Sequence, residues 1–351
     1  MLGSLVLVAS IVGLGSRPAS VPIRIPTLGD TVALESLVRN AAKPIAARYV
    51  VLQDIAIVGN RAIVDWYARR IHGAIEGGGS IVARERAGVW SLIGKSDNYP
   101  DLKTLKRIDP RLSRFRARAI LKRYRLGVTL AGCNQNTTCS TTRERITAVV
   151  VRDALDEQDF VIAPVVWPIA IAGGFALVDW TEGEGGGEAL LRSERGQWRI
   201  LTMGGGSMAS TSALEPEGMS AKTARRLVQQ VIAGEKAPDL PCAPTLRCAK
   251  REREVRIAFS RYVRSQRRLR SRTIYHTISI AGTFAVADYS IGASRGQALL
   301  RLGNGSWRIL ADGREWIADS GLLVRSFGVP PADAVRLERQ IIDAEERETH
   351  K

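Results

Sequence analysis

One segment of this 351-residue chain occurs three times, and that repetition constrains the fold more than any other feature. Two clear copies cover residues 167–203 and 278–312, and a more divergent copy covers residues 55–90. The copies share an Asp followed by an aromatic residue, and the three aromatic residues are 114 and 109 residues apart. Since a repeat is first a folding unit, the spacing predicts three domains of one fold. The repeated positions are Asp65, Trp66, Trp90, Asp179, Trp180, Trp198, Asp288, Tyr289 and Trp307.

Each copy predicts a four-stranded antiparallel meander. In the first copy, β-branched runs at 49–58 and 61–66 flank Gly59-Asn60, and positive φ angles at both residues would suit a tight hairpin. A glycine-rich loop at 183–187 is expected in the second copy before a strand at 188–192. In the strand at 175–180 of this copy, successive side chains point to opposite faces of the sheet, and we expect both faces to be partly covered. One face holds Ala176, Val178 and Trp180, and the other holds Phe175, Leu177 and Asp179.

Helical spacing of apolar residues predicts helices on either side of each meander. The stretch before Pro26 is expected to be a linker, followed by a helix at 30–42. Thr141 and Glu144 form a capping-box signature for the helix that opens the second copy. Closing helices are expected at 112–124, 221–233 and 332–346. The predicted class is α+β, with three tandem repeats of helix, four-stranded antiparallel meander and helix on a cystatin-like or NTF2-like plan. The expected boundaries are 1–21 for a leader and 22–127, 128–236 and 237–351 for the repeats.

Three motifs carry a family resemblance. They are A-L-V-D-W-T-E-G-E-G-G-G-E-A-L-L-R from Ala176, G-Q-W-R-I-L-T-M-G-G-G from Gly196, and a G-V-P-x-x-x-A helix at 328–334. Through these motifs, the second and third repeats resemble small exported bacterial proteins labelled copper uptake system-associated. The resemblance implies export and a connection with copper. The chain departs from that family at Met203, where the family tends to have Cys.

The net charge of +16 is concentrated in two segments. Residues 103–125 hold ten basic residues and one acidic residue, and residues 250–272 hold ten and two. Their aromatic residues Phe115, Tyr124, Phe259 and Tyr262 are expected on apolar helix stripes, and therefore in the core. The arginines would line a face that is either simply solvated or binds anionic polymers or anionic lipid surfaces. The candidates for this face are Arg114, Arg118, Arg264, Arg267, Arg268 and Arg270.

The four cysteines form two pairs of identical spacing, Cys133 with Cys139 and Cys242 with Cys248. Each pair has five intervening residues, whereas zinc sites prefer two to four residues between thiolates and usually recruit His. Local disulfides are therefore favoured, with buried free thiols and a metal site as alternatives. Disulfides would imply an oxidising compartment.

The N-terminus has the length of a signal peptide. Residues 2–14 are largely apolar, and small residues Gly13 and Gly15 lie at the end of this run, at a position suited to cleavage. Arg17 lies after this run and no basic residue precedes it, which for an uncleaved anchor would favour the opposite orientation. We expect a periplasmic or secreted product, with the leader either cleaved or retained.

Two sets of residues are candidates for a catalytic or metal-binding site. Asp65, Asp179 and Asp288 could each serve as a base or ligand, or could be structural residues that accept hydrogen bonds from the glycine-rich loop. Met203, Met208 and Met219 could form a soft Cu(I) site, or could fill gaps in the core. The chain contains no G-x-S-x-G elbow, no H-E-x-x-H and no recurring nucleophile with a base. We therefore expect no catalytic residues and no cofactor, with copper as the one open candidate.

The sequence thus favours a non-catalytic exported repeat protein that binds an unidentified protein partner or an anionic envelope surface. The alternatives are a periplasmic copper-handling accessory protein and a basic nucleic-acid-binding protein. Sequence-specific recognition of nucleic acid is not expected, because the chain offers no recognition helix with base-reading residues at groove spacing.

Overall fold

The structure is a computed structural model that describes residues 22–41, 49–69, 75–131, 141–157, 160–182, 185–235, 246–266, 273–292, 294–313 and 317–349. These residues form a mixed α+β fold with three antiparallel sheets of five, four and four strands. Strands that follow each other in the chain are neighbours in each sheet, so every sheet is a meander. We call each sheet, together with the helices before and after it, a unit.

The first unit contains one strand that the sequence did not predict. The stretch expected to be a linker contributes β1, which pairs with the end of β2 and makes this sheet five-stranded. A short helix, also unpredicted, precedes the closing helix. The elements are β1 (Ile23–Arg24), α1 (Leu28–Ala41), β2 (Tyr49–Val58), β3 (Arg61–Arg69), β4 (Ile75–Arg86), β5 (Val89–Ser96), α2 (Leu102–Ile108) and α3 (Arg114–Ala131).

The second and third units follow the same order of elements. The second consists of α4 (Thr142–Glu157), β6 (Val165–Ala172), β7 (Phe175–Glu182), β8 (Gly185–Glu194), β9 (Gln197–Gly204), α5 (Thr211–Leu214), a 3₁₀ turn (Glu215–Glu217) and α6 (Ala221–Glu235). The third consists of α7 (Leu246–Gln266), β10 (Thr273–Ala281), β11 (Phe284–Ile291), β12 (Ser294–Gly303), β13 (Ser306–Gly313), α8 (Ser320–Phe327) and α9 (Pro331–Thr349). The capping box of α4 is present, because Thr141 and Glu144 exchange hydrogen bonds of 3.1 Å.

Each sheet is covered by helices on both faces. The opening helices α1, α4 and α7 pack on one face, and the short and closing helices pack on the other. In β7 the two faces are those predicted, since Ala176 and Val178 belong to the core under α4 while Leu177 belongs to the core under α6. The repeated aromatic residues all pack on the side of the opening helix, and these are Trp66, Trp90, Trp180, Trp198, Tyr289 and Trp307.

The three sheets also share details of strand register. Trp66, Trp180 and Tyr289 each pair with a glycine of the next strand, and the Asp before each aromatic pairs with a polar residue. In each sheet the register of the first meander strand shifts opposite this Asp–aromatic pair. Such bulges bend a strand and increase its twist.

The prediction of a glycine-rich loop at 183–187 is wrong in part, because residues 185–187 belong to β8. A Cβ at Gly187 would overlap the carbonyl oxygen of Gly204 on the neighbouring strand. Gly296 meets Gly313 in the same way in the third sheet. The glycines therefore allow close approach of backbones rather than forming a loop. The hairpin prediction is also partly wrong, since Gly59 has a φ of 58° but Asn60 is not among the residues with positive φ.

The three units meet at one buried junction. Ser326 on α8 donates to the Oδ1 atom of Asp54 on β2 at 2.6 Å, and the backbone N–H of Ile55 donates to Ser326 Oγ at 2.8 Å. Arg123 on α3 donates to the carbonyl of Ile55 at 3.1 Å, and Arg325 reaches the carbonyl of Ala163 in the second unit at 3.5 Å. The third unit is thus joined to the first two by polar contacts away from water.

α3 is shaped to fit this junction. Gly127 interrupts the helix with a φ of 72°, a left-handed value that favours glycine. A Cβ at this position would lie 3.1 Å from the Cα of Arg325. The glycine therefore supplies both the kink and the space that lets α8 pack against α3.

Candidate functional site

The surface of α3 is strongly cationic. This helix contains no acidic residue, and its first twelve residues belong to the first basic segment. Its exposed cationic residues are Arg114, Arg116, Arg118, Lys122 and Arg125. Arg114, Arg118, Lys122 and Arg125 lie within about a quarter of the helix circumference, whereas Arg116 lies on the other side. The four like charges raise the positive potential on their side of the helix.

Two residues of the same segment lie where the sequence did not place them. Arg123 is fully buried at the junction, and burial lowers the pKa of its guanidinium. Phe115, predicted to lie in the core, is 49 % exposed, whereas Tyr124 is buried. Nine residues of helix amount to half a turn beyond two full turns, so Phe115 and Tyr124 lie on opposite faces. The core prediction for Phe115 was therefore wrong for a geometric reason.

The second basic segment forms much of α7. Arg264 is exposed, and Phe259 and Tyr262 pack in the core as predicted. Arg251 lies over the ring of Trp307 at 5.6 Å, and Arg256 lies over the ring of Tyr275 at 4.8 Å. These guanidinium groups therefore cover aromatic rings as well as carrying charge. Arg267, Arg268 and Arg270 lie outside the described residues.

Asp65 sits in a buried polar cluster. It accepts short hydrogen bonds from the hydroxyls of Ser80 and Tyr124. Burial raises its pKa to about 7, although the two hydroxyls and the charge of Arg325 act in the opposite direction. Burial likewise raises the pKa of Tyr124, and the negative charge of Asp65 adds to this effect. Asp65 is thus held by side chains and not by a glycine-rich loop.

The equivalent aspartates have different surroundings. Burial, followed by the charges of Glu188 and Glu235, raises the pKa of Asp179 to about 7. Asp288 is buried and forms an ion pair with Arg295, whose Nε lies 3.2 Å from Asp288 Oδ1. The three equivalent aspartates therefore differ in their partners. Asp65 is hydrogen-bonded to hydroxyls, Asp179 lies near two other carboxylates, and Asp288 is ion-paired with an arginine. The three sites have no chemical arrangement in common.

The methionines are divided between the two faces of the second sheet. Met203 packs against the core under α4, whereas Met208 and Met219 pack against the core under α5 and α6. The sheet separates Met203 from the other two, so the three thioethers are not brought together. Within the ranges that the structure describes, no group of three or more His, Cys, Asp and Glu residues could hold a metal ion.

The cysteine predictions fall at the edge of what the structure describes. Cys133, Cys139 and Cys242 lie outside the described residues. Cys248 lies on α7, but its side chain is not described. Both pairings therefore stay predictions.

Sequence reasoning missed the junction residues altogether. All three are polar or charged and fully buried, although such side chains are mostly exposed in proteins: Asp54, Arg123 and Ser326. Asp54 carried a weak signal, since it and Gln53 interrupt a run of β2 that is otherwise largely apolar. The sequence carried no such signal at Arg123 or Ser326, because their burial depends on contacts between segments that are distant in the chain.

None of the helices in the described ranges is both long and apolar enough to span a bilayer. Comparison of the chain with protein-family models, curated proteins and solved structures gives no match.

Proposed function

We propose that this chain is a non-catalytic binding protein that associates with anionic polymers or anionic lipid surfaces through the exposed cations of α3 and α7. The observation that carries the proposal is the surface of α3, where five exposed cations occur on a helix without any acidic residue, four of them on one side of it. A polyanion relieves repulsion among such charges and releases its own counterions on binding. The binding energy therefore depends on charge and not on sequence.

We also propose that the three units are tandem repeats on a cystatin-like or NTF2-like plan. Support comes from the shared order of helix, meander, short helix and helix, and from the matching glycine and bulge positions in the three registers. The first unit carries one basic segment in its closing helix α3, and the third unit carries the other in its opening helix α7. Contact through both segments would strengthen attachment to an extended surface.

The proposed location is the periplasm or the exterior of the cell. The apolar leader, the two closely spaced cysteine pairs and the resemblance to small exported proteins support this location. An envelope offers anionic polymers and lipids at high density. Fractionation of a strain that carries a C-terminal reporter fusion tests the location, and a purely cytoplasmic signal would contradict it.

Binding is tested with vesicles and heparin at low salt. We expect wild type to co-sediment with phosphatidylglycerol vesicles but not with phosphatidylcholine vesicles, and to be retained on heparin. The test variant carries Arg114→Gln, Arg118→Gln and Arg264→Gln, three exposed cations from both segments. It should lose most of its retention.

The matched control carries Lys222→Gln, Arg225→Gln and Arg226→Gln, three exposed cations on α6. Its change in net charge is identical, but its residues lie outside both basic segments. Equal loss of retention in the two variants would show that only net charge matters and would contradict a binding face. Absence of wild-type retention would contradict the proposal as a whole.

A further inference from the structure

A cleft of about 1000 Å³ lies between α3, α4 and the segment that joins β5 to α2. Buried Tyr124, Val151 and Leu155 form its floor. Half-buried Leu121, Leu126 and Leu130 line its wall along α3, with Phe160 beyond the end of α4. The volume is at the upper end of the range of small-molecule sites, and the apolar lining is typical of them.

The rim of this cleft is cationic. Arg118 and Lys122 on α3 and Arg152 on α4 are exposed there, and no carboxylate of the described residues forms an ion pair with any of the three. Arg125 is fixed across the cleft, since it donates to the carbonyl of Leu155 at 3.1 Å. Two acids also line the cleft. Asp101 is engaged as the N-cap of α2, where it accepts from the N–H of Thr104 at 2.6 Å, and Asp156 is exposed.

An apolar wall beneath a cationic rim fits a ligand with an acyl chain and an anionic head. A polyanion such as heparin would leave the leucine side chains in water, and a neutral hydrocarbon would leave the cations without a partner. We infer that the cleft binds a single-chain fatty acid, with the chain against Leu121, Leu126 and Leu130 and the carboxylate at Lys122 and Arg152. This binding differs from the polyanion binding proposed above, because it requires the apolar cleft.

Isothermal titration of the full chain with decanoate, butyrate and 1-decanol tests the inference. We expect decanoate to saturate one site, butyrate not to bind, and 1-decanol to bind about tenfold more weakly than decanoate. The three compounds separate the contribution of the acyl chain from that of the carboxylate. Butyrate binding as tight as that of decanoate would reduce the cleft to an anion site and overturn the inference.

Two variants locate the site. Lys122→Gln with Arg152→Gln should weaken decanoate binding about tenfold and leave 1-decanol binding unchanged. Ala148→Trp should weaken binding of both compounds about tenfold, because Ala148 lines the cleft and the indole ring would take space from the acyl chain. The control is Lys222→Gln with Arg225→Gln, which makes the same charge change on α6 and should alter neither affinity by more than about twofold.

The outcomes separate this inference from the proposed polyanion binding. Ala148→Trp should leave heparin retention at the wild-type level, since it removes no charge. Failure of decanoate to saturate a site, equal loss of affinity in the rim variant and the α6 control, or unchanged decanoate binding by a folded Ala148→Trp variant would each overturn the inference.

Discussion

At the residue scale, burial decides what the repeated aspartate does. Asp65 has a pKa raised to about 7, while an unfolded Asp titrates near 3.8. Between these values the unfolded chain releases a proton that the folded chain retains. Stability therefore falls as the pH rises from about 4 to about 7, and it levels off above that window. Asp179 and Glu338, whose pKa values are also raised to about 7, act in the same direction.

We predict that Asp65→Asn raises the free energy of unfolding at pH 8 by about 2–4 kcal/mol. The substitution should also flatten the dependence of stability on pH. The amide cannot ionise but can still bond with Ser80 and Tyr124. Chemical denaturation at pH 5 and pH 8 measures the effect. Asp288→Asn is the control with the opposite sign, because it removes the buried one of two carboxylate partners of Arg295 and should destabilise the protein at pH 8. A wild-type stability that rises from pH 5 to pH 8, with no gain in Asp65→Asn, would refute the account of Asp65.

At the element scale, the glycines of β8 set the distance between β8 and β9. Gly187→Ala places a methyl group against the carbonyl of Gly204, and neither backbone can move without breaking the sheet. We predict destabilisation of about 3 kcal/mol, comparable with severe overpacking of a core. Gly204→Ala is the control, because a Cβ there meets open space. Thermal unfolding followed by circular dichroism compares the two, and similar midpoints would contradict the role of Gly187.

The elements that could be predicted from sequence are those with several periods of pattern. A β-branched run predicted β2, alternation predicted the two faces of β7, and helical stripes predicted α4 and α6. The helices α2, α5 and α8 are too short for a period to appear, so their existence depends on the sheet that they cover. The residues of the junction could not be predicted either, since Asp54 and Ser326 lie 272 residues apart and only the assembled fold joins them.

The candidate site shows the same limit. The excess of charge on α3 could be counted along the chain, whereas the cleft beside it arises only when α3 and α4 pack together. The burial of Arg123 within the basic segment likewise follows from its contact with β2 and α8.

At the scale of the whole molecule, the units are coupled through α8. Leu322 and Phe327 line the same small cavity as Leu52 and Ile55 of the first unit, and Ser326 bonds directly to β2. We predict that residues 237–351 expressed alone are less stable than the third unit within the full chain. Re-exposure of two apolar side chains costs about 3 kcal/mol.

Hydrogen exchange measures this coupling. The amides of β10–β13 should exchange faster in the fragment than in the full chain under the same oxidising conditions. Identical protection in both would show that the third unit folds independently and that the junction adds nothing to its stability.

The central claim is that the exposed cations of α3 and α7 bind anionic polymers, and the salt dependence of heparin binding tests it most directly. The logarithm of Kd should rise linearly with the logarithm of the salt concentration for wild type. In the variant with Arg114→Gln, Arg118→Gln and Arg264→Gln, the slope should fall by about 2. The reason is that the polyanion keeps the counterions that the three lost contacts would have released. In the α6 control, the slope should stay at the wild-type value. A wild-type Kd that does not change with salt, or equal slopes in all three proteins, would contradict the claim.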